Sequence, residues 1–135
     1  MEFVNISIAK KLKEKGYPQV KKNTLAMYNE DGEWYSLAKT LDDFEYSFED
    51  FDAYDYICPT ISQVLKWLRE ECGVFILIEP DILHPEYRLT FTIKIKFYIK
   101  GEEDEGFSYK YLSYRRNSYE EATLAGIEYV LDNLI

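Results

Sequence analysis

The sequence predicts an α+β domain, an antiparallel β-meander packed against helices in the order α-β-β-α-β-β-β-α. Three observations predict it. Pro59–Ile78, PTISQVLKWLREECGVFILI, reads as an amphipathic helix that runs through one glycine into a buried strand. Residues 88–99 alternate apolar and polar with period two, the signature of a strand with one buried face. Residues 118–134 place a helical stripe behind a capping signal.

The chain opens with a predicted helix over residues 4–15. Val4, Ile8 and Leu12 recur every fourth residue, and Gly16-Tyr17-Pro18 stops the run. Lys10, Lys11, Lys13, Lys15, Lys21 and Lys22 make this end basic, which reads first as a solvated helix face. Leu25–Tyr28 and Trp34–Leu37, joined through Asp31-Gly32, form a predicted hairpin, because Asp-Gly supplies the positive φ of a tight turn. That hairpin is expected to extend the sheet of the core or to shield its second face.

Residues 42–58 are different in kind. They hold −7 of the formal charge of −9, while residues 1–41 carry +2 and residues 59–135 carry −4. Phe44, Tyr46, Phe48, Phe51, Tyr54 and Tyr56 are interleaved with the carboxylates. A solvated linker gains nothing from so many rings. The plainer reading is a loop whose rings pack inward and whose carboxylates face water. The functional reading is a contact surface for a basic partner, built from Asp42, Asp43, Phe44, Glu45, Phe48, Glu49, Asp50, Phe51, Asp52, Tyr54 and Asp55.

In the central helix, Thr60 and Gln63 form a capping box, and Ile61, Val64, Leu65, Leu68 and Cys72 form the apolar stripe. Gly73 is placed for a left-handed C-cap. Val74–Ile78 is an unbroken apolar run, too short for a helix. After a turn containing Pro80, His84 and Pro85, Leu89, Phe91, Ile93, Ile95, Phe97 and Ile99 face one way. Thr90, Thr92, Lys94, Lys96 and Tyr98 face the other. The acidic loop Gly101–Gly106 leads to a returning strand, Phe107–Tyr114. Ser118 with Glu121 caps the last helix, where Leu124, Ile127, Leu131 and Leu134 form one arc and Ala122, Ala125 and Gly126 a small-residue arc beside it. The two amphipathic helices supply the cover that the odd face of 88–99 needs.

With 135 residues the chain is expected to form a single domain over 1–135, its α-β-β-β-α core beginning at Pro59. No apolar run is long enough to span a bilayer, and the charged N-terminus lacks a signal-peptide core. Cys58 and Cys72 are no disulfide framework, so a cytoplasmic protein with reduced thiols is expected. A single histidine, His84, excludes sites built on several imidazoles, and no phosphate-binding glycine loop or metalloprotease motif occurs. Cys72 reads as core. Cys58, just before a helix N-terminus, is better placed for a reactive thiol, but nothing else marks it as a nucleophile. No catalytic residue, metal or cofactor is therefore expected.

KKLKEKGYPQ (10–19), the PT-x-x-x-V-x-KWLREE stretch (59–71) and YEEA-x-x-AGIEYVLDNLI (119–135) resemble small uncharacterised proteins carried by bacterial phages and mobile elements. The resemblance implies an accessory context and transfers no site residue. The order from residue 59 onward is also similar to double-stranded-RNA-binding domains. In those a lysine cluster at the start of the last helix grips phosphates; here Tyr119, Glu120 and Glu121 stand at the matching positions. The expected function is protein–protein contact without catalysis, with a homodimer as one form of it. A nucleic-acid-binding module using the basic N-terminal helix or the Lys94/Lys96 face is the alternative, and an unrecognised enzyme a third. The charge of −9 sets nucleic acid behind protein as a partner.

Overall fold

The computed structural model describes residues 2–21, 24–36, 54–81, 90–99, 106–114 and 118–135. Among them are three helices and two three-stranded antiparallel sheets, so the chain has the α+β class expected. It divides into two compact units, Met1–Ile61 and Ser62–Ile135.

In the first unit, helix α1 (Ile6–Glu14) starts where the Asn5 side chain accepts the Ile8 N–H at 2.9 Å. It begins two residues later than the periodicity predicts, for a backbone reason. Residues 2–4 are extended and pair with residues 59–61: Val4 N–H donates to Pro59 O at 3.1 Å, and Ile61 N–H to Glu2 O at 2.9 Å. Ile8, Ala9 and Leu12 form the buried stripe of α1. Lys11 and Lys13 sit in its last turn, where the helix dipole favours cations.

Strands β1 (Ala26–Tyr28) and β2 (Trp34–Ser36) make the expected hairpin. Gly32 takes φ +83°, and Asn29 closes the loop by accepting the Glu33 N–H on its side chain at 2.9 Å. The hairpin does not extend the core sheet, contrary to one expectation. Its own third strand, β3 (Tyr56–Ile57), pairs with the free edge of β1 to give the order β2-β1-β3. The end of the acidic segment is thus a strand rather than a loop. The physical reason is Ile57, which is buried with Met27 while Tyr17 and Tyr54 pack against the pair.

The second unit is entered by α2 (Ile61–Glu71), in which Val64 and Leu68 are fully buried. Gly73, at φ +66°, turns the chain into β4 (Val74–Asp81), followed by β5 (Thr90–Ile99) and β6 (Gly106–Tyr114). The sheet order is β4-β5-β6, antiparallel throughout. Phe91, Ile93 and Ile95 are buried as predicted. The reading of β4 as a wholly buried strand is corrected: Phe75 is 38% and Leu77 50% exposed. β4 lies at the edge of the sheet, and its alternate side chains point to the face opposite Val74 and Ile76.

Helix α3 (Tyr119–Asn133) packs on β4 and β5. Its N-cap Ser118 accepts the Glu121 N–H at 3.3 Å, and the Ser118 hydroxyl donates to the carboxylate of Glu120 at 3.0 Å. The face turned inward draws on both predicted arcs and brings Gly126 against the sheet. Ala122, Gly126, Ile127, Val130 and Leu131 are buried, whereas Leu124 and Leu134 are half-buried. Gly126 explains this, since a Cβ there would lie 3.1 Å from a methyl of Ile76 and 3.1 Å from a methyl of Ile93.

Two stability predictions follow from this packing. Leu68→Ala is expected to cost about 2–5 kcal/mol through lost burial and a cavity. Gly126→Ala gains about 1 kcal/mol of helix propensity but meets two β-branched side chains with stiff χ1 angles. We expect a small net loss for Gly126→Ala and about 1–3 kcal/mol or more for Gly126→Leu. Thermal melts check both; a wild-type midpoint for Gly126→Leu would mean that α3 does not approach the sheet this closely.

Candidate binding surface

Cross-strand register, not sequence proximity, assembles the outer face of β4-β5-β6. Phe75 lies opposite Lys96, and Lys96 opposite Tyr109; Leu77 lies opposite Lys94, and Lys94 opposite Tyr111. Tyr98 opposite Phe107 extends the face at one end, and Glu79 opposite Thr92 at the other. Directly paired residues of an antiparallel sheet share a side, so these side chains form one surface. Tyr98, Phe107, Tyr109 and Tyr111 are exposed like Phe75 and Leu77, with Tyr111 the most open at 60%. A contiguous apolar surface of this kind departs from the singly scattered exposed residues of an ordinary monomer.

The two lysines are held within it. Lys94 Nζ lies 4.7 Å from the Tyr109 ring centre and 5.8 Å from that of Tyr111. Lys96 Nζ lies 4.3 Å from the Phe107 ring centre and 5.8 Å from that of Tyr109. Each ammonium therefore leans to the diagonal neighbour on β6, where the ring quadrupole attracts it by about 0.5–1 kcal/mol. Their stems lie along the sheet and both residues are half-buried. Tyr98 and Phe107 meet edge to face at 5.5 Å.

The sites expected from sequence are placed unevenly. Asp42, Asp43, Phe44, Glu45, Phe48, Glu49, Asp50, Phe51 and Asp52 lie outside the described residues, as do His84 and residues 101–105 of the acidic loop. Tyr54 is half-buried, packed on Met27 and Ile57 and edge-on to Tyr35 at 4.9 Å. Asp55 joins the sheet through its backbone, its N–H donating to Tyr28 O at 3.0 Å. Lysines of α1 serve the same unit: Lys13 Nζ donates to Asp55 O at 3.0 Å, and Lys10 and Lys13 lie 5.6 and 5.2 Å from the Tyr56 ring centre.

Cys58 is not an accessible thiol. It is 2% exposed, and its Sγ donates to Val4 O at 3.3 Å. Burial pushes its pKa up, opposed by hydrogen bonds with Trp34 and Tyr28. The Tyr28 hydroxyl donates to the same Val4 carbonyl at 2.9 Å, and burial, with Cys58 beside it, raises that phenol well above its ordinary value. Cys72 is half-buried, its thiol raised by burial and by Glu71. Among the described residues no three of His, Cys, Asp and Glu gather where they could hold a metal, and no helix is long and apolar enough to cross a membrane.

Sequence reasoning identified the Lys94/Lys96 face with Tyr98 on it, but not the other five apolar side chains around it. The signal was there on β6, where Phe107, Tyr109 and Tyr111 recur with period two. It was hidden on β4, where both faces are apolar. Fold and surface together define an α+β chain that carries, among the described residues, an open aromatic sheet face. No protein-family model matches it, nor does any curated protein or solved structure.

The Tyr28–Cys58 pair makes a pH prediction. Both groups hold their protons more tightly folded than unfolded, so their contribution is complete below their ordinary pKa values, about 10 for Tyr28 and about 9 for Cys58. It is lost as pH rises through that range toward the raised folded values. Urea midpoints of the wild type should therefore fall above about pH 9. Tyr28→Phe should be less stable at neutral pH by about 0.5–1.5 kcal/mol and should lose less on going alkaline. An unchanged alkaline slope would remove Tyr28 from the account.

Proposed function

We propose that this chain is a non-enzymatic accessory protein, of phage or mobile-element context, that acts by protein–protein contact through the outer face of β4-β5-β6. The observation that carries the reading is the register that joins Phe75, Leu77, Tyr98, Phe107, Tyr109 and Tyr111 on one exposed surface. Aromatic residues are what protein interfaces enrich, because a Tyr ring buries large area at little entropic cost. The phage context rests on the resemblance of residues 10–19, 59–71 and 119–135.

A nucleic-acid-binding module remains the second reading, favoured by two lysines among stacking rings. Against it stand the charge of −9, and the acidic Glu120 and Glu121 in the first turn of α3. Two of the lysines that would serve such a module, Lys10 and Lys13, already contact Tyr56, and Lys13 also contacts Asp55.

Affinity capture from the native host with mass spectrometry tests the first reading, using wild type beside Leu77→Ser/Tyr111→Ser. The double variant removes exposed groups only, so its melting point should stay near wild type while the captured protein is lost. Equal capture by both would overturn the assignment of the face. Filter binding should find no submicromolar affinity for duplex DNA or RNA at physiological salt; tight, salt-dependent binding would put the second reading first.

A further inference from the structure

Resting on the reading of the outer sheet face as a contact surface, we infer that its occupant is an extended acidic protein segment lying along β5, with carboxylates at alternate positions. The argument is one of charge and shape. Lys94 and Lys96 stand on the central strand, with Phe75 and Leu77 on one flank and Tyr109 and Tyr111 on the other. A purely apolar partner would bury both ammonium groups without anions, at high desolvation cost. A second copy docked face to face would bring four ammonium groups into one interface, which like-charge repulsion opposes. The occupant therefore supplies negative charge over the centre and tolerates aromatic walls at the sides.

Geometry narrows it further. Residues two apart on a strand are separated by about 7 Å, so Lys94 and Lys96 match carboxylates at alternate positions of a second extended chain. The flanking strands lie about 10 Å apart across β5, the width of one extended segment with its side chains. Both ammonium groups already lean over the β6 rings, so the surface is arranged before the occupant arrives. A nucleic acid also offers anions, but a duplex carries one charge about every 1.7 Å of its axis against one about every 7 Å for carboxylates at alternate positions, and a chain of charge −9 repels the denser run more.

The test uses the full chain and three fluorescein-labelled probes: a ten-residue peptide alternating glutamate and leucine, as long as β5, its lysine-for-glutamate counterpart, and an oligothymidylate of equal length. Anisotropy should show the acidic peptide binding about tenfold or more tighter than the other two, and weakening as salt is raised. Lys94→Gln/Lys96→Gln should weaken it about tenfold while the melting point falls only slightly, through the lost ring contacts, and Leu77→Ser/Tyr111→Ser should weaken it as well. Tighter binding of oligothymidylate or of the basic peptide would overturn the inference, as would an acidic peptide indifferent to the lysine change. If only the lysine change is silent while Leu77→Ser/Tyr111→Ser still abolishes capture of the cellular partner, the acidic occupant is wrong and the contact face stands. If both changes are silent, both fall.

Discussion

A three-stranded sheet cannot keep Ile76, Phe91, Ile93 and Ile95 from water without a cover, and in the Ser62–Ile135 unit α3 brings that cover within contact distance. Gly126 marks a close approach: a Cβ there would lie 3.1 Å from methyls of two isoleucines, so a larger residue would lift the helix and open the layer beneath it. Dispersion falls away over a fraction of an ångström, so this close approach is worth more than the single missing methyl suggests. The orientation of α3 follows from it. Ala122, Gly126 and Val130 turn inward, while Leu124 rides at the margin. Burying one side of the sheet in this way also decides which side chains are left for the other.

The Met1–Ile61 unit solves a different problem. Its strands have two or three residues each, too few for a stable sheet by themselves. Backbone pairing of residues 2–4 with 59–61 and the convergence of Tyr28 and Cys58 on the Val4 carbonyl tie distant parts of the chain together. Lysines of α1, which sequence alone offers as a nucleic-acid patch, are engaged with the ring of Tyr56 and the carbonyl of Asp55. Lys10 and Lys13 thus hold β3 and the residue before it against α1.

How much was legible depended on whether a local pattern had a single reading. Period two over 88–99 permits one face assignment only, and Phe91, Ile93 and Ile95 are buried accordingly. Gly32 and Gly73 marked positive-φ positions that no other residue adopts cheaply, and both turns are where the sequence puts them. The run Val74–Ile78 is apolar at every position, so it announced a strand without saying which side faced out. β3 is two residues long, below the length at which periodicity carries information, and only its long-range pairing with β1 defines it. The outer face of β4-β5-β6 was legible only in part for the same reason. It exists only once register places Phe75, Lys96 and Tyr109 in one row, and register is a tertiary property.

That row also explains why an aromatic face can remain open on a folded chain. Bare rings on a sheet invite indiscriminate association, and negative design in sheets relies on charge placed where another apolar surface would dock. Lys94 and Lys96 occupy the central strand, so any occupant must either strip water from two ammonium groups or match them. Their seats over the rings of Phe107 and Tyr109 keep the charges in the plane of contact instead of letting them swing out to solvent. On the proposed reading, apolar area supplies attraction while the lysines reject partners that bring no anion, and this division of labour between adjacent strands would make the face selective rather than merely sticky.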